Sequence, residues 1–314
     1  MGTSRLTILF DDPFWIGLYE REDDTEYSVC RIVFGAGRLK ELATLSLPGK
    51  KALLCVTEDK LMEKLGIQQR VIELLGQNGV SVAVFDKVTP NPTRTGVMAA
   101  AALAKESGCD FVIGLGGGSS IDTAKAASIM MANPGDLWDY VCGGTGKAQP
   151  LLHPGLPIVT IATTSGTGSE INCWGVISNH ETNEKIGFGD PSLNPVLAIV
   201  DPELMRTVPA EYTAYQGFDA LFHNTEVMIS RFVNVLSEPI ALSAIGYIAE
   251  YLPRAVKDGG DIEAREGVAY GSTIAGLTMQ LTSTTAEHSM EHAMSAYHHD
   301  LPHGAGLIMI SNEF

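Results

Sequence analysis

From position 49 to about 201 the chain alternates short, almost continuous apolar runs with longer segments of helical periodicity. Residues 51–57, 80–85, 111–115 and 157–162 read as strands, too uniformly apolar to leave one face in water. Between them, 63–78 reads as an amphipathic helix, 93–107 as an Ala-rich helix and 120–131 as a third. Buried strands separated by helices predict an α/β fold with a parallel sheet covered on both faces. Past residue 201 the strand signals fade, and Ala, Leu, Met and Ile recur at helical spacing to the end. The expected organisation is therefore an α/β domain over residues 1–200 and an all-helical domain over 201–314. Residues 1–30 stand apart, because apolar runs at 6–10 and 14–19 flank Asp11, Asp12 and Pro13. That pattern predicts a β-hairpin extension with its turn at the Asp-Asp-Pro step.

Composition narrows the partners. A chain of 314 residues, 45% hydrophobic, has material for two packed cores. Its 37 acidic residues against 21 basic ones give a formal net charge of −16. Such a surface repels phosphate backbones and anionic lipid, so nucleic acid and membrane are excluded as expected partners. No apolar run approaches the ~20 residues that span a bilayer, and the first residues lack the apolar core of a signal peptide. Five scattered cysteines without a CxxC pair fit reduced thiols, and a cytoplasmic protein is expected.

Three motifs carry candidate chemistry. Gly116, Gly117, Gly118 and Ser119 stand at the end of a predicted strand and the start of a helix that continues through Asp122 to Lys125. Glycines remove side chains where a ligand approaches the backbone, and a helix N-terminus offers unpaired N–H groups to a pyrophosphate. A tight strand–helix turn would look the same. Residues 163–170, which include Thr163, Thr164 and Thr167, form a second loop of small hydroxyl residues and glycines after a strand. Two such loops at the same edge of a parallel sheet point to a nucleotide crevice. The third motif is decisive. Asp219 and His223 are four apart on one helix face, His288 and His292 repeat that spacing, and His303 follows in a turn before another apolar helix. One carboxylate with imidazoles and no thiolate suits Fe(II) or Zn(II) better than Mg or Ca. His298 and His299, beside Asp300, read as surface residues.

With these motifs in order, the chain resembles the iron-containing (group III) alcohol dehydrogenases from about Arg31 to its last residue. The matching stretches are 88–92 with Asn91, the glycine loop, the 163–170 loop, Lys185, Asn194 and Pro195 with Asp201 and Pro202, 217–223, and 288–304. The resemblance implies Asp219, His223, His288 and His303 as metal ligands and His292 as a non-ligand histidine beside nicotinamide and substrate. It implies Asn91, Gly116, Gly117, Gly118, Ser119, Asp122, Thr163, Thr164, Thr167 and Lys185 at the cofactor. Glu58 and Asp59 follow the strand ending at Thr57, and either, Glu58 first, matches the acidic position at the adenosine ribose, where a carboxylate favours NAD over NADP. It further implies a homodimer and a small alcohol or aldehyde as substrate. The first thirty residues are instead similar to a family of short bacterial proteins, the YjdF-like proteins. The group III family continues for several helices after the turn at His303, so the helical domain is expected to be incomplete. The apolar segment 304–311 is then expected to lack cover on one side, leaving the region after about 266 loose or completed by a partner.

The function expected is hydride transfer between an alcohol and NAD at a divalent metal. A dehydroquinate-synthase-like lyase would share the NAD-plus-metal plan but would call for basic residues in the cleft. A nucleotide-binding remnant without catalysis is the third reading.

Overall fold

The computed structural model describes the backbone of residues 3–313, apart from 12, 13, 24 and 25, and the side chains of residues 30–313. The first two thirds of the chain carry the strands β1 (Thr3–Asp11), β2 (Phe14–Asp23), β3 (Glu26–Phe34), β4 (Lys51–Thr57), β5 (Ser81–Val88), β6 (Phe111–Gly116), β7 (Ile158–Ala162), β8 (Trp174–Asn179), β9 (Glu184–Gly189) and β10 (Leu197–Val200). Between them lie α1 (Leu61–Lys64), α2 (Ile67–Gln77), α3 (Arg94–Ser107), α4 (Gly118–Ala132) and α5 (Leu137–Tyr140). The main sheet has the order β1-β2-β3-β10-β7-β6-β4-β5. Its six strands from β3 to β5 run parallel, and β1 and β2 join antiparallel at one edge.

Strand β6 shows why the sheet is buried on both faces. Phe111, Ile113 and Leu115 enter one core with Val71 and Leu75 of α2, whereas Val112 enters the other with Val97 of α3 and Ala124 and Ala127 of α4. Alternate residues of a strand point to opposite faces, so an apolar run of this kind feeds two cores at once. Each such large side chain stabilises the fold by about 1.5–3 kcal/mol. Helix α4 sits close against β6, because a Cβ on Gly114 would stand 2.7 Å from Ile121 Cα.

The structure departs from the pattern in three places. The helix expected over 63–78 is two helices, since Gly66 adopts a left-handed φ of 69° that ends the first and starts the second. The antiparallel pair β8–β9, a separate two-stranded sheet, was not anticipated. Its glycines and charges at 184–189 dilute the strand signal. Nor was β10, only four residues long. The N-terminal hairpin is present as β1 and β2 with Asp11 opposite Phe14, and β3 attaches it to the main sheet. The predicted turn residues Asp12 and Pro13 lie outside the described residues.

The remainder is helical: α6 (Ala210–Ile229), α7 (Ser237–Lys257), α8 (Ile262–Leu281), α9 (Ala286–Tyr297) and α10 (His303–Ile310). Ala220 of α6, Ile248 and Leu252 of α7, and Ala264 and Val268 of α8 form a core of their own. Gly217 lets α6 approach Leu252, and Gly304 lets α10 approach the Tyr215 carbonyl. The expected bare face of 304–311 is narrower than the sequence suggests. Leu307 is fully buried, Ile308 and Ile310 are half-buried, and Met309 is 66% exposed.

Candidate metal centre and cofactor cleft

The two small-residue loops meet. Gly116 ends β6 at φ 146°, a conformation that L side chains rarely adopt, and its carbonyl accepts from Thr163 N–H at 2.9 Å. A Cβ on Gly117 would lie 2.9 Å from Thr164 Oγ1, and one on Gly118 would lie 2.8 Å from Thr167 Cγ2. Glycine on one side and small hydroxyl residues on the other are what this contact admits. Helix α4 then begins at Gly118 without a side-chain cap, which leaves its first N–H groups for an anion.

A cavity of about 300 Å³ adjoins this junction. Asn91, Gly118, Ser119, Asp122, Thr167 and Lys185 line it, together with His223, His288, His292 and His303. Gly116, Gly117, Thr163 and Thr164 do not line it and instead shape the loops behind it. Asn91 sits at φ 50° and donates Nδ2–H to the His299 carbonyl at 3.1 Å. Asp122 is buried and accepts from Ser169 Oγ–H at 2.6 Å and from Val176 N–H at 2.9 Å, so it ties α4 to the segment after the second loop. Glu58 is exposed at the C-terminal end of β4, one strand from Gly116 in the sheet order. Its neighbour Asp59 is engaged locally, accepting from Thr57 Oγ1–H and Leu61 N–H.

The histidine cluster forms where α6, α9 and α10 converge. Asp219 Oδ1 lies 3.0 Å from His223 Nδ1, 3.3 Å from His288 Nε2 and 3.7 Å from His303 Nε2. The donor atoms of Asp219, His288 and His303 all fall within 4.8 Å of one another. His223 stands beside this trio, its ring centroid 4.0 Å from that of His288 and its Nδ1 also 2.9 Å from the Asp219 carbonyl. The far nitrogens of the other two are taken: His288 Nδ1 pairs with Glu226 Oε2, and His303 Nδ1 with Glu291 Oε2. Both Nε2 atoms are thereby aimed at the shared carboxylate, the arrangement in which outer carboxylates orient metal-bound imidazoles.

The charge balance fits a cation. Burial would raise the Asp219 carboxyl, but His223, His303 and the imidazole hydrogen bonds hold it well below the usual range. Burial is likewise overcome at Glu226 by His288 and at Glu291 by His303, and both carboxyls sit at about 2. Burial pushes His223 down, and His288 adds to it; burial and then His303 push His292 well down. Burial also works against the His288 imidazolium, yet Asp219 and Glu226 raise it to about 9. Three ionised carboxylates thus meet here, and among the described residues Lys185, 3.2 Å from Glu291 Oε2, is the permanent cation bonded to them. Lys185 and the His288 imidazolium leave the cluster with negative charge to spare, a setting that suits a divalent ion.

Glu226 and Glu291 were missed by the sequence reading, although Glu226 is three residues past His223 and Glu291 three past His288, each on a ligand-bearing face. His292 lies in the cavity with its ring 5.6 Å from that of His303. His298 is exposed, whereas His299 is half-buried and stacks on His180 at 3.9 Å, which corrects its assignment to the surface.

Comparison with known proteins shows the family. Residues 30–202 match the family model of the iron-containing alcohol dehydrogenases, and 213–313 match the model of that family's C-terminal region. A third, short match over residues 6–41 is to a protein of unknown function, DUF2992. The chain is 39% identical to a choline dehydrogenase of Bacillus subtilis, over 84% of its own length and 65% of the relative's. It is 37% identical to an NAD-dependent methanol dehydrogenase of Bacillus methanolicus, over 87% of the chain and 70% of the relative. Among solved structures, an archaeal halo-thermophilic alcohol dehydrogenase from a Red Sea brine pool superposes with a TM-score of 0.87 at 36% identity. That match covers 92% of the chain and 73% of the solved one. The chain therefore spans roughly two thirds to three quarters of the length of these relatives.

Proposed function

Because this chain belongs to the iron-containing alcohol dehydrogenase family, we propose that it transfers a hydride between a small alcohol or aldehyde and NAD, with Fe(II) or Zn(II) held by Asp219, His223, His288 and His303. The observation that carries this reading is the aim of two imidazole Nε2 atoms at one carboxylate oxygen, beside a cavity that also reaches the glycine loop. When bound, the metal supplies a Lewis acid for the alcohol oxygen and NAD supplies the hydride acceptor.

The chain's own residues do the rest. Gly118 and Ser119 present helix N–H groups to the pyrophosphate, and Gly116, Gly117, Thr163 and Thr164 hold the loops that allow its approach. Asn91, Asp122, Thr167 and Lys185 line the cofactor's path. His292, in the cavity and outside the ligand set, relays the hydroxyl proton. Lys185 is the one Lys or Arg among the described cavity residues, and Glu291 neutralises it, so a phosphate group finds no unpaired basic side chain there. That favours a neutral alcohol over the phosphorylated substrate of a lyase. Glu58 favours NAD, since a carboxylate accepts from a ribose 2′-OH and repels a 2′-phosphate; the NAD dependence in the methanol dehydrogenase's name supports the same choice. A cytoplasmic homodimer completes the reading.

The test is reconstitution with Fe(II) or Zn(II), elemental analysis, and NADH absorbance with a panel of short alcohols. About one divalent ion per chain and metal-dependent NADH formation are expected. A protein that retains no divalent metal sinks the proposal.

A further inference from the structure

Lys125 is fully buried on α4, the helix that starts at the glycine loop. Its ammonium reaches Ser169 O at 2.7 Å, Ser169 Oγ at 2.7 Å, Asn172 Oδ1 at 3.1 Å and Trp174 O at 2.5 Å. All these acceptors belong to one short stretch, 169–174, which carries the chain from the second small-residue loop into β8. Ser169, Asn172 and Trp174 line the cavity, and Lys125 does not. The same stretch is tied a second time, through Ser169 Oγ–H to Asp122 Oδ1 and Val176 N–H to Asp122 Oδ2. Asp122 lies three residues before Lys125, on the same face of α4.

A buried ammonium is costly unless its hydrogen bonds are satisfied, and a methionine or leucine would fill the same space without that cost. A charge kept in such a place therefore acts through what it holds. The stretch 169–174 has little regular structure: one short 3-10 turn, Ser169–Ile171, then a bend at 172–173 before β8. Without the ammonium, the inward Ser169 and Trp174 carbonyls would lose this partner, and the Asn172 amide oxygen would keep only the Trp174 N–H.

We propose that Lys125 is a positioning residue for the cofactor, its ammonium gathering the 169–174 stretch against α4 so that this wall of the cavity keeps the shape that admits the dinucleotide. The proposal rests on the NAD-binding reading above, and it deepens it by assigning the wall's order to a residue that touches neither cavity nor metal cluster. It also implies a pH dependence. Burial lowers the ammonium to about 8, against the opposing pull of Asp122 on α4, Cys173 and Glu170 on the segment it holds, and Cys30 on β3. The grip is full below that value and is lost as pH rises through it.

The experiment compares wild type with Lys125→Met in the metal-loaded full chain, by hydrogen exchange of the 169–176 amides without cofactor and by calorimetric titration with NAD. Exchange, corrected for intrinsic base catalysis, is expected to be faster in Lys125→Met at pH 7, and in the wild type only above about pH 8. NAD affinity is expected to fall about tenfold or more in the variant, the scale of losing bonds to a charged group, with metal content unchanged. In the wild type it falls through the same pH range, and in the variant it is flat. If the variant does not fold, the wild-type exchange profile decides alone: protection of 169–176 that is unchanged from pH 7 to 9.5 overturns the proposal. Wild-type affinity and protection in a folded Lys125→Met overturn it too. A wild type that binds no NAD refutes the functional reading, while the exchange data still decide the role of Lys125.

Discussion

Glu226 and Glu291 decide, atom by atom, which nitrogen of His288 and His303 faces Asp219. A carboxylate on Nδ1 fixes the tautomer and makes Nε2 a better donor, and loss of such a partner typically lowers metal affinity about 10–100-fold. Glu226→Gln and Glu291→Gln are each expected to weaken metal binding by that order in competition with a fluorescent chelator. His298→Ala, at an exposed position, should leave it unchanged. Asp219 with His223 and His288 with His292 were legible because i,i+4 spacing places each pair on one helix face, and the family resemblance added His303. Their carboxylate partners were not, since Glu226 and Glu291 look like the ordinary charges of a solvated helix until folding buries them. At the other end of the cleft, Glu58 stands exposed while Asp59 is occupied by Thr57 and Leu61. Glu58→Gln should narrow the preference for NAD over NADP, and calorimetric binding of both cofactors measures it. An unchanged ratio would show that the acidic position lies elsewhere.

At the scale of elements, the close approach of α4 to β6 is set by Gly114. Gly114→Ala would drive a methyl against Ile121 Cα, a backbone atom that cannot swing aside. Overpacking of this kind costs about 1–3 kcal/mol, so a lower midpoint of thermal unfolding is expected. Gly118→Ala meets only the Thr167 side chain, which can move. There the expected result is weakened NAD binding with a smaller loss of stability, read by calorimetry and thermal unfolding side by side. The strands β4, β6 and β7 were legible because burial on both faces demands unbroken apolar runs. The β8–β9 pair was not, because antiparallel pairing can be carried by backbone bonds through Gly187 and Gly189 with little apolar signature. The break at Gly66 likewise left no mark on the helical periodicity around it.

On the scale of the whole molecule, the sheet and the helices are joined by close backbone contact. Gly168 lies against Gly276 of α8 so tightly that a Cβ on either would collide with backbone of the other. The cavity is thus lined from both sides, by Ser119 and Thr167 near the sheet and by Met279, His288 and His303 from the helices. A ligand that binds only this assembled form stabilises it by mass action, about 2.7 kcal/mol at a hundredfold excess over its dissociation constant. Added Zn(II) is therefore expected to raise the unfolding midpoint, and a chelator to reverse the rise. In Asp219→Asn the rise should disappear, because the oxygen on which the three histidines converge no longer carries charge. A midpoint insensitive to metal in the wild type would count against the centre.

Local rules in the chain were enough to determine the α/β layering, the two loops at the strand ends and the histidine faces. Each depends on neighbours within about one helical turn or one strand, and such neighbours are visible as spacing. Tertiary structure alone decided what lies between those pieces. It brought Lys125 to carbonyls more than forty residues away, turned Glu226 and Glu291 into partners of histidines, and set His303 within reach of Asp219. No periodicity encodes these meetings. They follow from burial, where a charged group persists only beside groups that satisfy it, and the fold determines which groups those are.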